Sequence, residues 1–122
     1  QIRKDLWGYS KKENFTNDDL IKENYIGIRP ATGYPACPDH SEKQTLFKLL
    51  GVEEKMKVTL TESFAMSPTS SVAGFYFSKK EASYFGIGKI NKDQVSDYAY
   101  RKNISLETAE KWLGPNLSYL KK

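Results

Sequence analysis

Three of the five prolines in this 122-residue chain, with its only cysteine and only histidine, lie in Ile28-Arg29-Pro30-Ala31-Thr32-Gly33-Tyr34-Pro35-Ala36-Cys37-Pro38-Asp39-His40. Proline fixes φ and removes a backbone donor, so this segment reads as a loop that is stiff before anything binds. Gly33 lets the backbone turn, or approach a ligand, without a Cβ in the way. Arg29 offers a planar fork of donors suited to a carboxylate or phosphate. Tyr34 adds a flat apolar face with a polar tip. Ordinary connections do not concentrate such residues, and each has a use at a ligand site.

Hydrophobic patterning around the loop sets the fold class. Residues 1–9 read as the end of an amphipathic helix, with Ile2, Leu6 and Tyr9 at helical spacing. Asn17-Asp18-Asp19 supplies a cap and first-turn acids for a short helix through about Tyr25. After the loop, Asp39 or His40 opens a helix that Gly51 stops, with Leu46, Phe47, Leu49 and Leu50 as its buried face. Strand character follows over 58–64, 72–77 and 84–90, with a turn at Ser67-Pro68-Thr69-Ser70-Ser71. Asn91 caps a helix through about Lys102, and Ser105 caps another from Leu106 to Leu113, which Gly114-Pro115 stops. Strands in the middle with helices around them predict an α+β fold, a mostly antiparallel sheet packed on helices 40–50 and 91–102.

Composition excludes several function classes. Hydrophobic residues make up 39% and charged residues 28%, as in a globular domain rather than a disordered chain. No apolar run approaches the roughly 20 residues of a membrane-spanning helix, which argues against a membrane role. A lone cysteine cannot make an internal disulfide, which favours a reducing compartment, the cytoplasm. The Asn-x-Ser/Thr triplets at Asn14, Asn103 and Asn116 are short enough to arise by chance. The start, Gln1-Ile2-Arg3-Lys4-Asp5-Leu6-Trp7, has neither an initiator Met nor a signal-peptide pattern, and reads as a helix cut from a longer chain. A net charge of +4 permits an acidic partner, but lysines interleaved with acids, as in Lys11-Lys12-Glu13 and Glu53-Glu54-Lys55, read as a solvated surface.

Other motifs are weaker. Cys37-x-x-His40 suggests a metal or a thiol nucleophile, yet zinc needs three or four protein ligands and the chain has no second Cys or His. Gly86-Ile87-Gly88-Lys89 lacks the spacing of a phosphate loop. Glu62, expected inside a strand, reads as a satisfied buried carboxylate rather than a general acid or base. Strand aromatics could stack nucleic-acid bases, but no basic groove is visible, so nucleic acid is not an expected partner.

The loop, together with five further segments, carries a family resemblance. Arg29-x-x-x-Gly33-Tyr34 followed by Pro-Ala-Cys-Pro-Asp-His resembles the S-adenosylmethionine-binding loop of cobalamin-dependent methionine synthase, in its C-terminal activation domain. Leu60 to Pro68, Ser71 to Phe77, Tyr84 to Ile90, Asp93 to Lys102 and Trp112 to Leu117 are similar to later segments of that family, in order. The resemblance implies that residues 1–122 are the C-terminal part of the activation domain, with its N-terminal part missing and the isolated fragment catalytically inactive. It implies that Arg29 binds the carboxylate of S-adenosylmethionine, that the main chain at Ala31 and Gly33 lies against the nucleoside, and that Tyr34, Tyr84 and Phe85 shape the pocket. It further implies reductive remethylation of cobalamin bound by another module of the same chain, in an enzyme moving methyl from methyltetrahydrofolate to homocysteine. Flavodoxin or a diflavin reductase is the implied electron donor. A docking module for such an acidic flavoprotein, without nucleoside binding, is the alternative.

Overall fold

The computed structural model describes residues 2–6, 8 and 11–120. These form two compact units, one of residues 1–30 with 75–84 and one of 31–74 with 85–122.

In the first unit, Ile2–Leu6 forms a single π-helical turn with Ile2 and Leu6 both exposed; Tyr9, the third member of the expected stripe, lies outside the described residues. Helix α1 spans Asn17–Ile21, shorter than the helix to Tyr25 read from sequence. Its cap is Thr16, one residue earlier than expected, whose hydroxyl accepts from Asp19 N–H while the Asp19 carboxylate accepts from Thr16 N–H. Glu23, at φ 55°, takes the chain out of helical geometry. The expected strand 72–77 is instead a short antiparallel contact. Ile28 and Phe77 exchange both backbone hydrogen bonds, and Phe75 N–H donates to Pro30 O. Pro30 has no N–H to return, so the ladder ends there.

The second unit holds the main core. Helix α2 spans Glu42–Leu50 and ends on Gly51 in the left-handed region, as its sequence predicts. Its buried face is Lys43 and Phe47; Leu49 and Leu50, expected inside, are exposed. Helix α3, Val52–Met56, follows at once and has no counterpart in the sequence reading. The strand expected over 58–64 reduces to β1, Thr59–Leu60, paired antiparallel with β2, Met66–Ser67. The run breaks because Phe64 adopts φ 62° to close the turn, with Thr61 accepting from Phe64 and donating to Ala65. Glu62 sits on that turn and is exposed, not a buried strand carboxylate.

Residues 84–90 do not join this sheet. Gly88 at φ 65° interrupts the extended run, and Ile90 bridges to Leu117 in parallel. Helices α4, Lys92–Lys102, and α5, Leu106–Trp112, start on Asn91 and Ser105 as expected. Gln94 Oε1 accepts from Asn91 N–H, and Ser105 Oγ from Thr108 N–H. Their facing sides bury Val95, Ala99, Ala109 and Leu113, joined by Leu117. The class is α+β: helices together with a small antiparallel ladder.

Candidate functional site

Within the second unit, the part of the proline-rich loop from Gly33 to Cys37 is a tight, internally bonded turn. Cys37 N–H donates to Tyr34 O at 2.8 Å, with Pro35 at the corner position where its fixed φ is favoured. Gly33 N–H donates to Cys37 O at 2.7 Å, closing the turn from outside. Gly33 has φ 88°, and a Cβ there would lie 1.9 Å from His40 Cε1. The imidazole therefore packs directly on bare backbone, which only glycine provides. Pro35 O also accepts from Ile87 N–H at 3.0 Å, so the turn is pinned beside the segment that carries Phe85.

Two polar groups anchor the far end of this loop. The His40 ring is held by Lys43 Nζ, 3.0 Å from Nδ1, and the same ammonium donates to Phe64 O at 2.9 Å. Lys43 is almost wholly buried, and that burial lowers its pKa. Phe64 in turn meets Trp112 edge-on, with ring centroids 5.6 Å apart. Asp39 is buried and accepts from Ser41 N–H and Ser41 Oγ, from the Tyr98 hydroxyl, and from Lys102 Nζ at 3.0 Å. Burial alone would raise the Asp39 carboxyl, yet hydrogen bonds from Tyr98, Ser41 and Lys102 outweigh it and hold the pKa below its ordinary value.

In the first unit, Arg29 is exposed and stacks on Tyr25, with its guanidinium carbon 4.4 Å from the ring centroid. Its Nε and Nη2 both donate to the Tyr25 hydroxyl, at 3.2 and 2.8 Å. That bond is the main reason its pKa rises, so the residue is a permanent cation. Arg29 lines a groove of about 260 Å³ with Arg3, Glu13, Phe15 and Tyr25. A groove of that size falls short of the roughly 300–1,000 Å³ typical of sites enclosing whole small molecules.

Of the residues singled out in the sequence, Arg29 and Tyr84 belong to the first unit and Ala31, Gly33, Tyr34 and Phe85 to the second. Tyr34, Tyr84 and Phe85 are all exposed, at 61%, 39% and 54%, so none is a core aromatic. The turn holds Gly33 and Tyr34 through the Gly33 N–H···Cys37 O and Cys37 N–H···Tyr34 O bonds. The Gly33 N–H is already used by Cys37 O, and the His40 ring fills the place a Gly33 side chain would take. The Cys37 thiol is pushed up by burial and then by the nearby Glu42 and Asp39 carboxylates, the reverse of what a thiolate nucleophile needs. No cluster of three or more metal-ligating side chains occurs among the described residues.

Sequence reasoning missed the supports: Tyr25 under Arg29, and Asp39, Tyr98 and Lys102 behind the loop. Two signals were available. Asp39-His40-Ser41 is an Asp-x-Ser turn pattern, and Tyr98 and Lys102 stand four residues apart on one helix face.

A family model described as vitamin B12 dependent methionine synthase, activation domain, matches residues 1–103. Among solved structures, the chain is similar to the MetH reactivation domain bound to AdoHcy, with 54% identity and a TM-score of 0.91. The match covers 98% of this chain and 37% of that one, so the present chain spans little more than a third of its length.

Proposed function

The chain belongs to the activation-domain family of vitamin B12-dependent methionine synthase, and from that premise we propose that it holds S-adenosylmethionine for the reductive remethylation of cobalamin. The observation that carries this reading is the loop itself. The motif that resembles the family's ligand loop includes Gly33, where His40 leaves no room for a side chain, and Arg29, a permanent cation.

In this reading Arg29 pairs with the amino-acid carboxylate through charge-assisted hydrogen bonds. The backbone at Ala31 and Gly33 lies against the nucleoside, and the exposed rings of Tyr34, Tyr84 and Phe85 supply apolar faces. Phe85 has no hydroxyl and contributes shape and contact alone. Support for the ligand class comes from the similar reactivation domain, which is bound to AdoHcy, the demethylated product of the same donor.

The chemistry asks little acid–base work of these residues. The sulfonium is already a good leaving group, and loss of its methyl leaves a neutral thioether. Cobalamin, carried by another module, would supply the nucleophile after one-electron reduction by a flavodoxin or diflavin reductase. This chain's contribution is positioning of the methyl donor.

The wider assignment follows: a methyltransferase of methionine biosynthesis, acting in the cytoplasm, whose isolated fragment does not turn over. No described helix is long and apolar enough to cross a membrane. Equilibrium dialysis with methyl-labelled S-adenosylmethionine, competed by S-adenosylhomocysteine, tests the proposal. Saturable retention that the competitor abolishes supports it. Salt-sensitive capture of flavodoxin with no retained label would favour the docking-module reading.

A further inference from the structure

Behind the loop lies a polar cluster that the binding role does not use. Asp39, 4% exposed, receives four donors: Ser41 N–H at 2.7 Å, Ser41 Oγ at 2.8 Å, the Tyr98 hydroxyl, and Lys102 Nζ at 3.0 Å. Lys102 also bonds the Glu42 carboxylate at the start of α2, and its Nζ lies 5.5 Å from the Tyr98 ring centroid and 5.7 Å from that of Trp112. Tyr98 and Lys102 are successive members of one face of α4, so a single helix presents both donors to the loop.

A buried ion pair of this kind is weak evidence for stability, because desolvating the charges offsets most of their attraction. An apolar pair would hold α4 against α2 at least as well. What charges supply instead is a defined geometry: a carboxylate with four donors has one position that satisfies all of them. That position fixes the backbone at Asp39 and Ser41. It thereby fixes the root of His40, whose ring is the surface that Gly33 rests on.

We infer that Tyr98 and Lys102 are positioning residues for the ligand loop: acting through Asp39, and without touching the ligand, they set the placement of Gly33 and the turn through Cys37. The inference rests on the reading that this loop binds S-adenosylmethionine, and it extends the site to α4, whose residues carry no ligand motif.

The test compares Lys102→Met, Lys102→Arg and Tyr98→Phe with Leu106→Ala, a core variant on α5 that loosens the same unit without touching the cluster. Amide hydrogen exchange at Gly33 and Cys37 reads loop placement directly, and calorimetric titration with S-adenosylmethionine reads its consequence. Lys102→Met should speed exchange at both amides, and weaken binding, by about tenfold or more. Lys102→Arg, which can still reach both carboxylates, should restore both readouts. Tyr98→Phe removes one hydroxyl, keeps the ring, and should shift both in the same direction by less; it decides the matter if Lys102→Met does not fold. Leu106→Ala should lower the thermal midpoint while leaving affinity and the two amides at wild-type values. Unchanged exchange in Lys102→Met and Tyr98→Phe, or equal acceleration in Leu106→Ala, overturns the inference. If the wild-type chain binds no S-adenosylmethionine, the functional reading fails separately, and the exchange data alone decide the role of α4.

Discussion

The His40 imidazole occupies the space that a side chain on Gly33 would need, since a Cβ there would lie 1.9 Å from Cε1. The contact joins the middle of the proline-rich loop to its C-terminal end and gives Gly33 two separate requirements. One is its left-handed φ of 88°, and the other is the ring against its face.

Gly33→Ala should therefore abolish ligand binding and destabilise the chain by about 1–3 kcal/mol from backbone strain alone, with steric displacement of His40 in addition. The double variant with His40→Ala removes the steric part and leaves the strain, so it should recover part of the lost stability. Urea unfolding of the four members of this cycle measures the coupling. Additive losses would mean that the ring and the glycine do not sense each other.

Thr32 makes the opposite case, because its hydroxyl is buried and has no hydrogen-bond partner. Thr32→Val keeps the shape and removes the orphaned group. It should be neutral or raise stability by about 1 kcal/mol, read as the shift in urea midpoint at constant slope. A clear loss of stability would show that the hydroxyl is satisfied in solution.

Stability should depend on pH through the Asp39 cluster on both sides of neutrality. The Asp39 carboxyl is held below its unfolded value of 3.8, so its contribution is present above that pH and is lost as pH falls through the folded value. Burial alone would lower Lys102, but its hydrogen bonds to Glu42, Asp39 and Tyr98 raise it above 10.5. Its contribution is intact below that pH and is lost as pH rises through the folded value. Tyr98 is raised by burial and by its bond to Asp39, and behaves likewise above 10.0. Thermal midpoints across the pH range should show both limbs in the wild type. Asp39→Asn should flatten the acid limb, and an unaltered profile would contradict the assignment.

Several helix ends and the loop were legible in the sequence because they rest on local chemistry, though two helices start on Thr16 and Ser41 rather than on Asn17 and on Asp39 or His40. Asn91, Ser105 and Gly51 act within one turn of the chain and sit where the pattern puts them. The strands were less legible because pairing depends on distant partners. Residues 75–77 meet a segment that ends in Pro30, and residues 84–90 carry a left-handed Gly88, so neither extends into a ladder. Arg29, Gly33 and Tyr34 stood out as candidates by residue type and motif. Tyr25, Tyr98 and Lys102 did not, and Asp39 and His40 read as a helix start rather than as supports, because such roles arise only through tertiary contact.

The most direct measurement is calorimetric titration of the chain with S-adenosylmethionine beside Arg29→Ala. The account predicts saturable binding that the substitution weakens by about 10- to 100-fold, the loss expected for charge-assisted hydrogen bonds to a carboxylate. Absence of binding in the wild-type chain, or binding that Arg29→Ala leaves unchanged, would contradict it.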